Sequence, residues 1–135
     1  MKLMGAIAAA ALLAGAHAVA AQSAPEGDAA KGAKTAKICK TCHRFGPGAV
    51  NAIGPVLNGI VGRKAGTYPG YNYSEANKTS GITWTEANLK TYLKAPQKMV
   101  PGTKMTFAGF EKQSDIDNVV AFLKTLGPDG NPIEK

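Results

Sequence analysis

The stretch Cys39-Lys40-Thr41-Cys42-His43 decides the reading of this 135-residue chain. Its two thiols are three positions apart, so one turn of helix carries both to the same flat partner. The next residue adds an imidazole directed at that partner from one side. Three other readings of C-x-x-C compete. A thioredoxin-like redox pair normally sits beside a βαβ pattern, and none is visible. A structural zinc site needs four ligands, and the only other histidine, His17, lies in a leader expected to be removed. A simple disulfide leaves His43 without a role. The spacing C-x-x-C-H therefore reads as the attachment signature of a c-type haem, with thioethers from Cys39 and Cys42 and the proximal nitrogen from His43.

Residues 1–21 have the form of a secretory signal peptide. Lys2 supplies the positive start, Leu3 to Ala16 an apolar run, and Val19-Ala20-Ala21 small residues before Gln22. Cleavage is expected after Ala21, with Ala18 or Ala20 as alternatives. A retained anchor is the competing reading, but the run is short against the ~20 residues of a spanning helix. The implied destination is a bacterial periplasm. With both cysteines committed to haem, export does not imply a disulfide here.

Residues 22–135 are then expected to form a single domain. Such a small domain buries a limited core, and a large flat apolar cofactor would add to it. The formal charge of the full chain is +7, and loss of Lys2 takes it to +6. No basic cluster interleaved with aromatics points to nucleic acid, so an acidic protein partner is the better match to the charge.

Asp28 is placed to cap a helix running through Ala29 and Ala30 towards Cys39. Gly46 to Gly70 is dense in glycine and proline and reads as loop. Its interleaved Val56, Leu57, Ile60, Val61, Tyr68, Tyr71 and Tyr73 favour an ordered loop around something apolar over a flexible linker. Thr83-Trp84-Thr85-Glu86 has the form of a capping box, and Leu89, Tyr92 and Leu93 share a helical face that Pro96 ends. Ser114 with Asp117 resembles a weaker box. It precedes a stripe of Ile116, Val119, Val120, Leu123 and Leu126, stopped by Gly127-Pro128. No segment sustains a period-two alternation, so the fold class is all-α: several helices and long loops wrapped around one haem.

A haem iron held by one histidine needs a second ligand or stays open. After the leader only Met99 and Met105 remain as methionines. Met105 follows the tight turn Pro101-Gly102-Thr103-Lys104 and is the expected sixth ligand, whereas Met99, just past Pro96, reads as packing. Thioether ligation raises the potential and suits electron transfer.

The chain resembles the class I c-type cytochromes, the group of mitochondrial cytochrome c and bacterial cytochrome c2. The resemblance rests on Cys39-Lys-Thr-Cys42-His43, Gly54-Pro55, Gly62-Arg63-Lys64, Gly81-Ile82-Thr83-Trp84 and Pro101-Gly102-Thr103-Lys104-Met105-Thr-Phe107-Ala-Gly109, in family order from about Gly27 to Leu126. It implies that His43 and Met105 ligate the iron and that the Pro55 carbonyl holds the other nitrogen of His43. It places Arg63, Tyr73 and Trp84 around a buried propionate, and Asn77, Tyr92 and Thr103 in a polar network near the methionine. Phe107 would lie beside the exposed haem edge. For Trp84 and Tyr92, ordinary core packing is an equal reading of the residues themselves.

Two departures from the pattern stand out. The first helix lacks the usual aromatic, with Thr35 and Ala36 in its place. Its contact at Gly32 with Phe122 is therefore expected to be thinner, or filled by Ile38. Several places that carry lysines in the mitochondrial relatives hold Ile38, Ala52, Gln97 and Glu111 instead. Lys40, Lys98, Lys104 and Lys112 remain as candidates for docking acidic partner surfaces, with Lys34 and Lys37 on the first helix, and docking should depend less on salt.

The resulting expectation is a monomeric, periplasmic, single-haem electron carrier without a membrane span after processing, and not an enzyme. Its partners would be redox proteins: a membrane cytochrome complex, a terminal oxidase, a reaction centre or a periplasmic dehydrogenase. A haem enzyme or gas sensor with an easily opened sixth site is the rival, and a domain serving a larger oxidase is a third reading.

Overall fold

The computed structural model describes residues 26–134; the leader assigned to residues 1–21 lies outside them. Five α-helices follow in chain order: α1 Ala29–Thr35, α2 Glu75–Thr79, α3 Glu86–Lys94, α4 Pro96–Met99 and α5 Gln113–Lys124. A 3₁₀ segment, Ala36–Thr41, continues α1 and carries Cys39. Among the described residues the only extended pairings are two isolated bridges, Lys64 with Thr83 and Leu126 with Pro132.

The core forms where α1 and α3 pack on α5. Asp28 caps α1 as expected, its carboxylate accepting from the Lys31 amide. The α5 stripe buries Ile116, Val119, Val120 and Leu123 almost completely, each contributing about 1.5–3 kcal/mol of transfer free energy. The helices α1 and α5 approach so closely at Gly32 that a β-carbon there would sit 1.8 Å from the Asn118 carbonyl oxygen. Only glycine fits that crossing. The expected thinning of this contact is corrected by Phe45, whose ring meets Phe122 edge-on at 5.5 Å between centroids. Ile38 does not fill it; the side chain is largely exposed and lines the cleft described below. Two ion pairs tie α3 to α5, Lys90 to Asp117 at 2.9 Å and Lys124 to Glu86 at 2.8 Å.

Both expected capping boxes are displaced. Thr83 bridges to Lys64 in extended backbone, so α3 begins two residues later, with Thr85 as its cap accepting from the Asn88 amide. Ser114 lies inside the first turn of α5, because the helix starts at Gln113 after an extended Lys112 that makes no side-chain cap.

The segment between the cysteine motif and α2 contains no helix and is nonetheless ordered. Asn58, buried, exchanges two bonds with Gly46: its amide donates to the Gly46 carbonyl at 2.9 Å and its oxygen accepts from the Gly46 N–H at 2.8 Å. Asn51 donates to the Pro69 carbonyl at 2.9 Å and accepts from the Val56 N–H at 3.1 Å. Side-chain amides thus supply the partners that a helix would have found in its own backbone. Among the described residues no helix is long and apolar enough to cross a membrane.

Candidate functional site

The 3₁₀ segment ends at the motif. The Cys42 and His43 amides both donate to the Cys39 carbonyl, at 3.1 and 2.8 Å. That turn presents both thiols at the wall of one cleft. Both cysteines are partly buried and not paired with each other, and burial pushes the Cys39 thiol up from its ordinary value.

His43 is fixed on two sides. Its Nδ1 donates to the Pro55 carbonyl at 2.7 Å. The Gly54 N–H donates to the Cys42 carbonyl at 2.7 Å, drawing Gly54 against the imidazole. With Nδ1 protonated and engaged, Nε2 carries the free lone pair. Burial, the largest influence, also lowers the His43 pKa and keeps the ring neutral, the form that binds a metal.

The cleft has a volume of about 360 Å³. Its walls include Leu57, Ile60, Leu89, Leu93, Val119 and Leu123, together with Trp84, whose ring lies 4.7 Å from that of Tyr92. Against this apolar lining Arg63 stands out. Two of its five N–H donors go to the Val56 and Asn58 carbonyls, at 2.9 and 2.5 Å, and its central carbon lies 4.7 Å from the centroid of the Tyr68 ring. Burial lowers its pKa while the Tyr73 hydroxyl beside it works in the opposite direction. Tyr73 in turn accepts from the Tyr68 N–H at 3.1 Å.

Opposite the motif, Val100 to Thr103 form a tight turn, with the Thr103 amide donating to the Val100 carbonyl at 3.0 Å. Pro101 sets its second position, and Gly102 takes the third with φ +89°, which disfavours any other residue. Thr103 is buried, and its hydroxyl accepts from the Asn77 side chain at 3.1 Å and the Met105 N–H at 3.3 Å. With both lone pairs taken, its proton goes to the Tyr92 oxygen, 2.8 Å away. Met105, two residues beyond Thr103, lines the cleft, as does Phe107, packed edge-on against Phe110 at 5.0 Å.

All twelve residues expected at the site therefore line one cleft: Cys39, Cys42, His43, Pro55, Arg63, Tyr73, Asn77, Trp84, Tyr92, Thr103, Met105 and Phe107. Met99 does not; it packs against the core and a separate depression. The four lysines expected to dock partners are not gathered in the same way. Lys104 lines the cleft and donates to the Asn72 carbonyl at 2.9 Å. Lys40 lies 5.0 Å from the Phe45 ring. Lys98 lines the separate depression with Lys90 and Lys94, and Lys112 precedes α5. Sequence reasoning missed Gly54 as the neighbour of the imidazole. Tyr71, expected only as part of the loop wrapped around something apolar, also lines the cleft and donates to the Ile53 carbonyl at 2.7 Å. For Gly54, its place immediately before Pro55 was the available signal.

Two thiols one turn apart, a neutral imidazole with a free nitrogen, an apolar slot and one half-buried guanidinium with donors to spare fit a flat, apolar, carboxylate-bearing macrocycle. This donor set defines a protein that carries a single covalently bound haem c. Comparison with known proteins narrows the class. A model of the cytochrome c family matches residues 29–127. Cytochrome c2 of Rhodoblastus acidophilus is 52% identical over 105 residues, covering 78% of this chain and 98% of that protein. Cytochrome c-550 of Bradyrhizobium diazoefficiens is 50% identical over 102 residues, covering 76% of this chain and 75% of the relative. Among solved structures, cytochrome cH from Methylobacterium extorquens superposes with a TM-score of 0.69 at 49% identity, over 73% of this chain and 99% of the other. Cytochrome c2 from Rhodospirillum centenum gives 0.72 at 38% identity, over 76% and 100%. The chain belongs to the cytochrome c family, and its all-α architecture is the small cytochrome c fold. It is accordingly a haem-bearing electron-transfer protein and not an enzyme.

Proposed function

We propose that this protein is a soluble periplasmic electron carrier, taking one electron from a redox protein and giving it to another. His43 and Met105 would hold the iron, and Cys39 and Cys42 would carry the thioether attachments. Bound there, the haem would supply a one-electron couple, its iron alternating between Fe(III) and Fe(II). The carrying observation is that His43 and Met105 line one cleft from separate segments, each fixed by its own hydrogen bonds.

The residues have separable tasks. Pro55 fixes the tautomer and plane of His43. Thr103, with Asn77 and Tyr92, seats the turn before Met105. Arg63 and Tyr73 offer donors to a propionate, whose burial otherwise costs several kcal/mol, and Trp84 contributes apolar wall. Phe107 and Lys104 border the cleft, where redox partners with acidic surfaces would dock; Lys40, Lys98 and Lys112 would contribute charge from further out. The partners would be a membrane cytochrome complex, a terminal oxidase, a reaction centre or a periplasmic dehydrogenase, each met by a monomer.

The test is ligation. The oxidised protein should show a sulfur-to-iron charge-transfer band that Met105→Ala abolishes and Met99→Leu preserves. A band that survives loss of Met105 would favour the reading of an open or weakly closed sixth site.

A further inference from the structure

The segment that carries Met105 is held by a contact on its outer side as well. Gln97 is the second residue of α4, a helix anchored by the fully buried Pro96. Its side-chain nitrogen lies 2.8 Å from the Met105 carbonyl oxygen and 3.2 Å from the Thr103 carbonyl oxygen. A side-chain amide has two N–H groups, so both carbonyls are served by one group. The opposite amide orientation would set the Gln97 oxygen against two carbonyl oxygens, so the assignment follows from the chemistry of the site.

We propose that Gln97 is a positioning residue for Met105: by clamping the carbonyls on either side of Lys104, it sets how readily the sulfur is displaced from the haem site. This rests on Met105 being the sixth ligand. An incoming ligand must push the Met105 segment aside. The Thr103 hydroxyl resists that movement from within through Asn77 and Tyr92. Gln97 resists it from the surface, and only Gln97 bonds the Met105 carbonyl itself among the described residues. Releasing the clamp should make the displaced state more accessible without altering the iron ligands, the cleft lining or the core.

Imidazole binding to the oxidised, haem-loaded protein measures that cost. Removing two partly exposed hydrogen bonds, as in Gln97→Ala, should raise imidazole affinity about 3- to 10-fold. Gln97→Glu keeps the size but loses both donors and turns a carboxylate towards two carbonyls, so it should raise affinity further than alanine does. A role in packing alone predicts the reverse order, with alanine the more damaging change. Urea unfolding of the far-ultraviolet signal should move far less than imidazole affinity in either variant. The clamp is refuted if both variants bind imidazole as the wild type does, or if alanine exceeds glutamate. Persistence of the charge-transfer band in Met105→Ala would instead refute the ligation on which the clamp rests, and the two failures are told apart by that single spectrum.

Discussion

Gly54→Ala offers a direct test of how the imidazole is held. Gly54 is buried and has no positive φ, so an alanine there brings no backbone strain, only a methyl group. That methyl would lie 2.5 Å from Cε1 of His43, 2.7 Å from Nδ1 and 2.9 Å from Nε2, where ordinary contact begins at 3.4 Å. The ring must withdraw by about 0.9 Å. A shift of that size, set against the 2.7 Å bond from Nδ1 to Pro55, leaves little of it. Gly54 cannot retreat freely either, because its amide is bonded to the Cys42 carbonyl at 2.7 Å.

The opposing terms can be weighed. Overpacking costs about 2 kcal/mol, and the weakened hydrogen bond about 1 kcal/mol. Replacing glycine stiffens the unfolded chain and returns about 0.7 kcal/mol. The net loss is about 2 kcal/mol, or a fall in Tm of about 8 °C for a domain of this size. Urea unfolding of the haem-loaded protein, followed by far-ultraviolet circular dichroism, should show a lower midpoint at unchanged slope. Disturbing the orienting partner of a ligand histidine typically costs about 10–100-fold in metal affinity, so the ligand-field spectrum should fail at lower urea than the helical signal. An unchanged midpoint together with coincident transitions would refute the claim that Gly54 and Pro55 fix the ring.

Three further outcomes are expected. Haem should remain with the polypeptide through acid-acetone extraction, because thioethers to Cys39 and Cys42 survive where axial bonds do not, and clean extraction would overturn covalent attachment. Lys104→Glu should slow electron transfer to an acidic partner at low salt by up to about tenfold. Added salt should narrow the gap in stopped-flow rates, and equal rates at every ionic strength would mean docking is chiefly apolar. Asp117 is held below its ordinary value of 3.8 chiefly by its bond to Lys90. Its contribution to stability is therefore full above that value and lost as pH falls below it. Asp117→Asn should flatten that acid limb in urea midpoints taken from pH 6 downwards.

The chemistry of the site was legible because it is written in adjacent residues. A thioether pair and a proximal imidazole, as expected here, must come from one turn, so Cys39, Cys42 and His43 are adjacent, and the α5 stripe repeats at the period of its helix. Helix starts were less legible. Thr83 and Thr85 can each form a cap, and the choice falls on Thr85 only because Thr83 is drawn into extended backbone against Lys64, nineteen residues earlier. Phe45 shows a different limit. The aromatic volume missing from α1 is supplied from beyond the cysteine motif, and nothing local announces that its ring meets Phe122. The contact of Gly54 with His43, eleven positions away through a loop, had only its place before Pro55 to announce it.

The two sides of the cleft are held by different means, and the difference bears on which would yield first. On the His43 side one side-chain bond, from Nδ1 to the Pro55 carbonyl, is backed by short backbone bonds, from Gly54 to Cys42 and from His43 to Cys39, and by a ring wedged against a buried glycine. The attachment cysteines flank the same turn, so moving His43 means distorting a covalently fixed segment. On the Met105 side, beyond the turn at Gly102, the restraints are side-chain bonds: Asn77 and Tyr92 to Thr103, Gln97 to two carbonyls, Lys104 to Asn72. Each is a modest interaction, about 1 kcal/mol net, and those of Gln97 and Lys104 face water. Lys104 is also the one proposed docking lysine that lines the cleft. A partner carboxylate that draws its amine from the Asn72 carbonyl would remove one of these restraints while leaving the His43 side untouched. If partners dock there as proposed, docking and the hold on Met105 would be coupled through one side chain.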